Sequence, residues 1–395
     1  MFIDLSAHAS PALAHRPHTA GMITPDVPPI VTPCDADEWA RLLTLLPDDL
    51  DATARGCGAF YTPGGIATPA TLLRLCLAYA TGPSAEAVVA WARQTGVADL
   101  AQEHLLEHLA RSRYWLAYLV GQVLGAAPTP AGPLGPWRVR LLDATLVQRP
   151  GSTQPDCRLH VGFNLATGQL DHLALTDHTV GDRLVDFPCA TGDLVIVDRG
   201  YASRGGVAAA RATGAHVLVR LPWKGSLPLQ TPDGVPLDLL AVCRTVAAGT
   251  CQAQAVTTVP TRQTTAVAGQ LIIAALPPAE AAQARARVQR KARHDGKVRD
   301  DATWEAAGYV LLFTTLSAAE CGAERAVTLY RLRWQIELAF KRYKQTLDLH
   351  GIRAHSEALC QMVVLAKFLL ILLMERLLTP ALAVRPGERP LSPFV

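Results

Sequence analysis

Three carboxylates stand where chemistry could use them: Asp143, Asp198 and Glu337. Asp143 follows Val139-Arg140-Leu141-Leu142 within a strand pattern running from Trp137 to Val147. Asp198 closes the run Asp193 to Asp198, whose almost wholly apolar character suits a strand buried on both faces. An Asp at the C-terminal mouth of such a strand is where α/β sheets place ligand groups. Glu337 falls in a helical pattern from Ala323 to Leu349, read as one long helix. Leu329, Leu332, Ile336, Phe340, Tyr343 and Leu347 form its core stripe. Arg333, Glu337, Lys341 and Lys344 recur at the same three- and four-residue steps on another face.

Carboxylates converging from two strands and a helix suit magnesium, a hard ion that prefers oxygen ligands and takes few of them from protein. Two such ions, about 3.5–4 Å apart, can activate an attacking oxygen and stabilise a leaving one. Neighbouring Arg and Lys would hold a phosphodiester and neutralise its charge. Each residue also has an ordinary reading. An Asp at a strand end is commonly a turn or cap residue. Arg333, Glu337 and Lys341 at successive i, i+4 steps are commonly a solvated ion-pair ladder. Spacing alone leaves both readings open.

The elements around these residues change character along the chain. Residues 1–67 are rich in Pro, Asp and Gly and yield little assignment. Residues 68–125 are helical and form a candidate DNA-binding domain. Thr68-Pro69 opens one helix and Ser84 caps a second, Ala85 to Gln94. Asp99 with Gln102 reads as a capping box opening a third helix, which carries Leu105, Leu109, Leu116, Leu119 and Val123 on one face. Helix, short turn, helix could form a helix-turn-helix reader or a plain helical bundle; the second helix offers only Arg93 as a contact. Residues 126–136 read as a linker. Two strands, His160 to Leu165 and Leu170 to Thr176, are joined as a hairpin. After Asp198 come a helix, Arg204 to Thr213, and a buried strand, His216 to Leu221. This order of strands and helices predicts an α/β layer. Residues 222–305 interrupt it with strand-like runs and a basic helix, Ala279 to Arg293, before a further strand, Gly308 to Leu316.

The chain of 395 residues is half apolar and 18% charged, which excludes wholesale disorder. Its net charge of +3 argues, as a whole-chain sum, against a dedicated nucleic-acid binder. The local balance differs. Residues 285–299 hold seven basic groups against Asp295, and residues 325–344 hold six against Glu337 alone. Eight acids within residues 1–67 offset them. Nine Cys, none at C-x-x-C spacing, indicate reduced thiols rather than a disulfide framework or zinc cage, and so a cytoplasmic protein. The N-terminus shows no signal-peptide pattern. The most apolar stretch, Ala358 to Met374, is 17 residues long and includes Gln361 and Lys367. It reads as a buried core helix, not a membrane span.

Tyr330, Arg333, Glu337 and Lys344 spell Y-x2-R-x3-E-x6-K, and with it the chain resembles the DDE transposases of the insertion-sequence-four family. Leu141-Leu142-Asp143-Ala144-Thr145 and Val197-Asp198-Arg199-Gly200-Tyr201 are similar to the family's first-Asp and second-Asp strands. The region His160 to Asp182 is also similar, with Asp182 standing where the family often has Glu. The resemblance covers about residues 68–378. It implies an α/β, ribonuclease-H-like catalytic core (residues 137–221 and 306–378) with a β-rich insertion (222–305), preceded by an α-helical N-terminal domain and followed by a tail (379–395). It implies Asp143, Asp198 and Glu337 as the catalytic, metal-binding triad, with two magnesium ions and manganese as a substitute. Tyr330, Arg333 and Lys344, with Lys341 a weaker candidate, would contact double-stranded DNA. The expected activity is cleavage at terminal inverted repeats and strand transfer into target DNA, by a homodimer on paired ends with no membrane partner. The basic block at 285–299 is then a candidate phosphate contact. Two other readings are a catalytically silent transposase-derived DNA-binding protein and a ribonuclease-H-like nuclease without strand transfer.

Overall fold

The computed structural model describes residues 36–382, apart from 62–64, 83, 126–133, 226, 297 and 350–351. Most of the sequence-predicted linker, the first half of the N-terminal region, Lys297 and most of the C-terminal tail therefore lie outside the described residues. The chain packs as two units. Within the described residues, the first comprises 36–200, 213–215 and 332–382; the second comprises Tyr201–Ala212 and His216–Arg331.

The first unit opens with six helices: α1 (Ala36–Leu43), α2 (Leu50–Gly56), α3 (Pro69–Thr81), α4 (Ala85–Gln94), α5 (Gln102–Arg111) and α6 (Arg113–Gly125). Thr68 and Ser84 cap α3 and α4 as their sequence predicts, each accepting a backbone N–H three residues on. The expected third helix differs in two ways. Asp99 does not cap it; its carboxylate pairs with Arg93 at 2.8 Å instead, and Ala101 precedes α5 without a side-chain cap. The expected single helix is also two helices, broken at Ser112. The Ser112 hydroxyl is buried and donates to the His108 carbonyl, a local bond that competes with helix continuation. The apolar face survives the break, because Leu105, Leu109, Leu116 and Leu119 are fully buried. Arg93, the one basic contact of the helix-turn-helix reading, is exposed and pairs with Asp99 at the surface.

Four strands follow: β1 (Arg138–Val147), β2 (Cys157–Asn164), β3 (Gln169–Thr176) and β4 (Asp193–Val197). β2 and β3 form the expected hairpin, and Gly168 takes the left-handed conformation (φ 69°) that its turn requires. β1 pairs antiparallel with β2 and parallel with β4, giving the order β3-β2-β1-β4. The β1–β4 register is uniform, from Arg138 beside Asp193 to Leu141 beside Ile196. An ion-pair lattice holds it. Arg138 forks onto Asp193 at 2.5 and 2.8 Å, and the buried Arg140 forks onto Asp171 at 2.6 and 2.9 Å and reaches Asp193 at 3.3 Å. The first of these pairs joins register partners, so it fixes which residue of β4 lies beside which residue of β1.

The second unit contains α7 (Arg204–Ala212), β5 (His216–Arg220), β6 (Leu229–Gln230), α8 (Leu239–Cys243), β7 (Cys251–Thr258), β8 (Ala268–Ala275), α9 (Pro278–His294), α10 (Asp301–Ala306), β9 (Tyr309–Thr314) and α11 (Ala323–Arg331). Its strands pair antiparallel in the order β5-β9-β8-β7-β6, around Leu271, Ile272, Leu312 and Phe313.

The chain returns to the first unit with α12 (Trp334–Thr346) and α13 (Glu357–Leu382). The expected single helix from 323 to 349 is thus split. Gln335 and Ile336 donate to the carbonyls three residues back, Leu332 and Arg333, so a tighter turn replaces α-helical bonding. α13 packs against α3, α5 and α6, and Glu357–Leu377 is long and apolar enough to cross a membrane by composition. It is a core helix here, 67% buried inside the protein. Its lone central cation, Lys367, donates to the carbonyls of Leu347 (2.5 Å) and Asp348 (3.1 Å) at the end of α12. The last carbonyls of a helix lie beyond its own ladder of bonds, and Asp348 leaves the helix in a left-handed conformation (φ 45°).

Asp193→Ala would leave two arginines, one of them buried, without their shared carboxylate. Breaking a buried pair in this way costs about 3–5 kcal/mol. A chemical-denaturation midpoint lowered accordingly, together with loss of activity, is expected; an unchanged midpoint would contradict the role of this lattice as the register lock.

Candidate active site

The β1–β4 register carries the two aspartates together. Two residues beyond the last paired position, the same offset sets Asp198, just past the C-terminal end of β4, beside Asp143, within β1. Neighbouring strands are about 4.8 Å apart, so the register brings the two backbone positions close. Asp198 is the first residue past β4 and opens a short 3-10 turn, Arg199–Tyr201.

α12 lies over β1 and supplies the rest. Arg333, at the N-terminal boundary of α12, is only 14% exposed. One of its guanidinium nitrogens is 3.6 Å from Asp143 Oδ2, and the other forms a close ion pair with Glu337 Oε1. Arg333 therefore ties the strand carboxylate to the helix carboxylate. In the last turn of α12, Lys344 Nζ donates to Thr145 Oγ1 at 2.7 Å. Thr145 is two residues beyond Asp143 and on the same face of β1.

The electrostatics follow from this geometry. Burial pushes the Asp143 carboxyl up to about 6, from an ordinary value of 3.8. The Ala144 N–H, which donates to Oδ1 at 2.8 Å, and Arg333 pull it down, while Asp198 and Glu337 push it further up. Burial lowers the pKa of Lys344, and Asp143 counters that shift. The cluster is a set of crowded acids held by too few cations.

The structure thus brings together five of the seven sequence-predicted site residues: Asp143, Asp198, Glu337, Arg333 and Lys344. Lys341 is exposed on α12. Tyr330 is buried on α11, in the second unit. Sequence reasoning missed Thr145 as the anchor of Lys344 and Lys367 as the cap of α12. The signal for the latter was a single cation within an otherwise apolar helix.

Among the described residues, no three His, Cys, Asp or Glu side chains stand close enough to hold a metal ion as they are, and Arg333 bridges two of the triad carboxylates. The donor set nonetheless fits a hard divalent cation. It is all carboxylate oxygen, it is drawn from neighbouring strands and the helix above them, and it includes an acid whose pKa is raised by burial and then by the other two acids.

Comparison with known proteins identifies the family of the chain. The family described as the transposase DDE domain matches residues 135–373, which include all three acids. The putative transposase InsL for insertion sequence element IS186A of Escherichia coli (strain K12) is 35% identical over 367 residues, covering 89% of this chain and 96% of that protein. The transposase for insertion sequence element IS421 of Escherichia coli is 35% identical over 368 residues, with the same coverage of each. A cryo-EM structure of piggyBac transposase in a synaptic complex with hairpin DNA aligns over 87% of this chain and 75% of that one, at 8% identity and a TM-score of 0.45.

Because Asp143 is harder to ionise in the folded chain, its ionisation opposes folding. Its contribution is intact below the ordinary range and is lost as pH climbs through about 6. In metal-free protein, Asp143→Asn should raise stability at pH 8 by about 1–3 kcal/mol and leave it unchanged at pH 4. Thermal melts of the two proteins at both pH values read this directly, and equal melting at both would contradict it.

Proposed function

The chain belongs to the DDE transposases, enzymes that cleave DNA and join it by strand transfer, and we propose that Asp143, Asp198 and Glu337 are its catalytic and metal-binding residues. The observation that carries this reading is the convergence of the three acids, through strand register and α12, on one cation-deficient cluster. The fold is α/β with a ribonuclease-H-like core, as the family has, and its chemistry depends on a divalent metal. We assign residues 137–221 and 306–378 to that core and 222–305 to the insertion.

Two magnesium ions, or manganese in their place, suit these ligands; when bound they would activate an attacking oxygen and stabilise the leaving one. The chain's own residues do the rest. Asp143 presents its carboxylate from within β1, and Asp198 presents its own from the residue that follows β4. Glu337 is 47% exposed on the helix above and can turn toward them. Arg333 neutralises Asp143 and Glu337 in the free protein, and its fork suits a DNA phosphate once other cations share that load. Lys344, anchored by Thr145, keeps a second positive charge beside Asp143. Lys341 and Tyr330 remain candidate DNA contacts. Water supplies the first nucleophile and the freed 3′ hydroxyl the second, so the protein's task is positioning and charge.

DNA is the substrate at both steps: terminal inverted repeats of an insertion sequence, then a target. We assign a homodimer on paired ends as the working unit. A cytosolic setting is supported by the reduced cysteines among the described residues and by the burial of α13. The C-terminal end of α9 supports backbone contact, since Arg290, Lys291 and Arg293 all project into solvent there.

Asp198→Asn should abolish nicking of an inverted-repeat duplex in magnesium or manganese while leaving duplex binding intact. Full cleavage by that variant would remove the metal-triad mechanism. Replacing Arg290, Lys291 and Arg293 together by Ala should lower the slope of log affinity against log salt by about 2–3, at about 0.9 per phosphate contact. An unchanged slope would show that α9 does not touch the backbone.

A further inference from the structure

Asp198 poses a positional problem that strand pairing does not solve. It is already off β4, in a turn, whereas Asp143 is held within β1. The structure places a fourth acid, Asp182, against that turn. A methyl group built on Gly200 would meet Asp182 Oδ2 at 2.7 Å and its Cβ and Cγ at 3.4 Å. The carboxylate therefore rests directly on the turn two residues beyond Asp198. Its other oxygen, Oδ1, accepts from Arg158 Nη1 at 2.6 Å. Arg158 lies on β2, with Leu146 of β1 and Thr176 of β3 as its register partners, so it is fixed from both sides at the same end of the sheet as Asp143.

We propose that Asp182 is a positioning residue for the second catalytic aspartate. A continuous line of contacts runs from the β2 backbone through Arg158 and Asp182 to Gly200, and it sets where the turn holds the Asp198 carboxylate. The inference rests on the triad reading above. It also accounts for two features of the sequence that the triad does not use. Gly200 lacks a side chain because the space is filled by Asp182. Asp182 carries a charge that is neutralised by Arg158, so it can stand beside the triad without competing as a ligand. The arrangement resembles the way outer carboxylates orient metal ligands, where their loss typically costs about 10–100-fold in metal affinity or activity.

The test uses the full chain, an inverted-repeat duplex, and manganese as the metal probe. Manganese affinity is read by electron paramagnetic resonance of the free ion, beside single-turnover cleavage, duplex affinity and thermal melting. Asp182→Ala and Arg158→Ala should each weaken manganese binding and slow cleavage by about tenfold, with duplex affinity unchanged. The double variant should be no worse than either single one, because both break the same line of contacts. Gly200→Ala should act in the same direction and add nothing in an Asp182→Ala background, where the methyl group has room. Asp182→Glu should restore part of the loss, which gives a readout even if a smaller substitution fails to fold. Lower melting with unchanged manganese affinity and cleavage would reduce Asp182 to a stabilising residue and overturn the proposal. Weaker binding in Asp182→Ala with tighter or equal binding in Arg158→Ala would make Asp182 a ligand instead, and also overturn it. Asp198→Asn separates the underlying reading: if it binds manganese as the unaltered chain does, the triad itself is wrong.

Discussion

The site depends on one ion pair about five residues away from it. Arg138 and Asp193 are partners in the β1–β4 register, and their forked pair fixes that register from its N-terminal end. At about 3.3 Å per residue, Asp143 and Asp198, the aspartates proposed as catalytic, lie roughly 16 Å further along. A slip of one residue would turn one of them to the other face of the sheet. Attraction at one end of two parallel strands thus enforces repulsion at the other. The backbone cannot relieve that repulsion without breaking the buried lattice of Arg138, Arg140, Asp171 and Asp193.

The rest of the cluster answers this imposed charge. Arg333 and Lys344 approach from α12, and each is held by a partner on β1. α12 is fixed in turn by Lys367, whose ammonium grips its terminal carbonyls from inside the core. Three cations in a row, two facing the acids and one holding the helix, connect the apolar interior to the reactive carboxylates. They still leave Asp143 hard to ionise. The cluster is thus one in which the protein has gathered negative charge and only partly balanced it.

Much of this was legible in the sequence because the strands announce themselves. Leu194 to Val197 is uniformly apolar and the acid follows at once, so the strand and its mouth could be read together. The face of α12 was legible for the same reason, through three- and four-residue steps. The breaks were not. Arg331-Leu332-Arg333-Trp334 contains no Gly, Pro or capping residue, so nothing local marks the boundary between α11 and α12. Ser112 divides α5 from α6 by a bond to a carbonyl that only the folded turn presents. Asp99 had two partners open to it, a helix end and Arg93, and tertiary pairing prevailed over local capping. Partners distant in sequence, such as Thr145 for Lys344, leave no periodic trace at all.

α13 has a consequence for how the protein comes into being. It fills the core shared by α3, α5 and α6, and through Lys367 it anchors the helix that carries Glu337. Some 230 residues of intervening chain must be synthesised before the early helices meet it. Until residues near 357–377 leave the ribosome, the first unit has an exposed apolar face and no fixed third acid. The order of translation therefore delays the site: a chain made only as far as α12 holds Asp143 and Asp198 in one layer and lacks the core helix that fixes Glu337 above them.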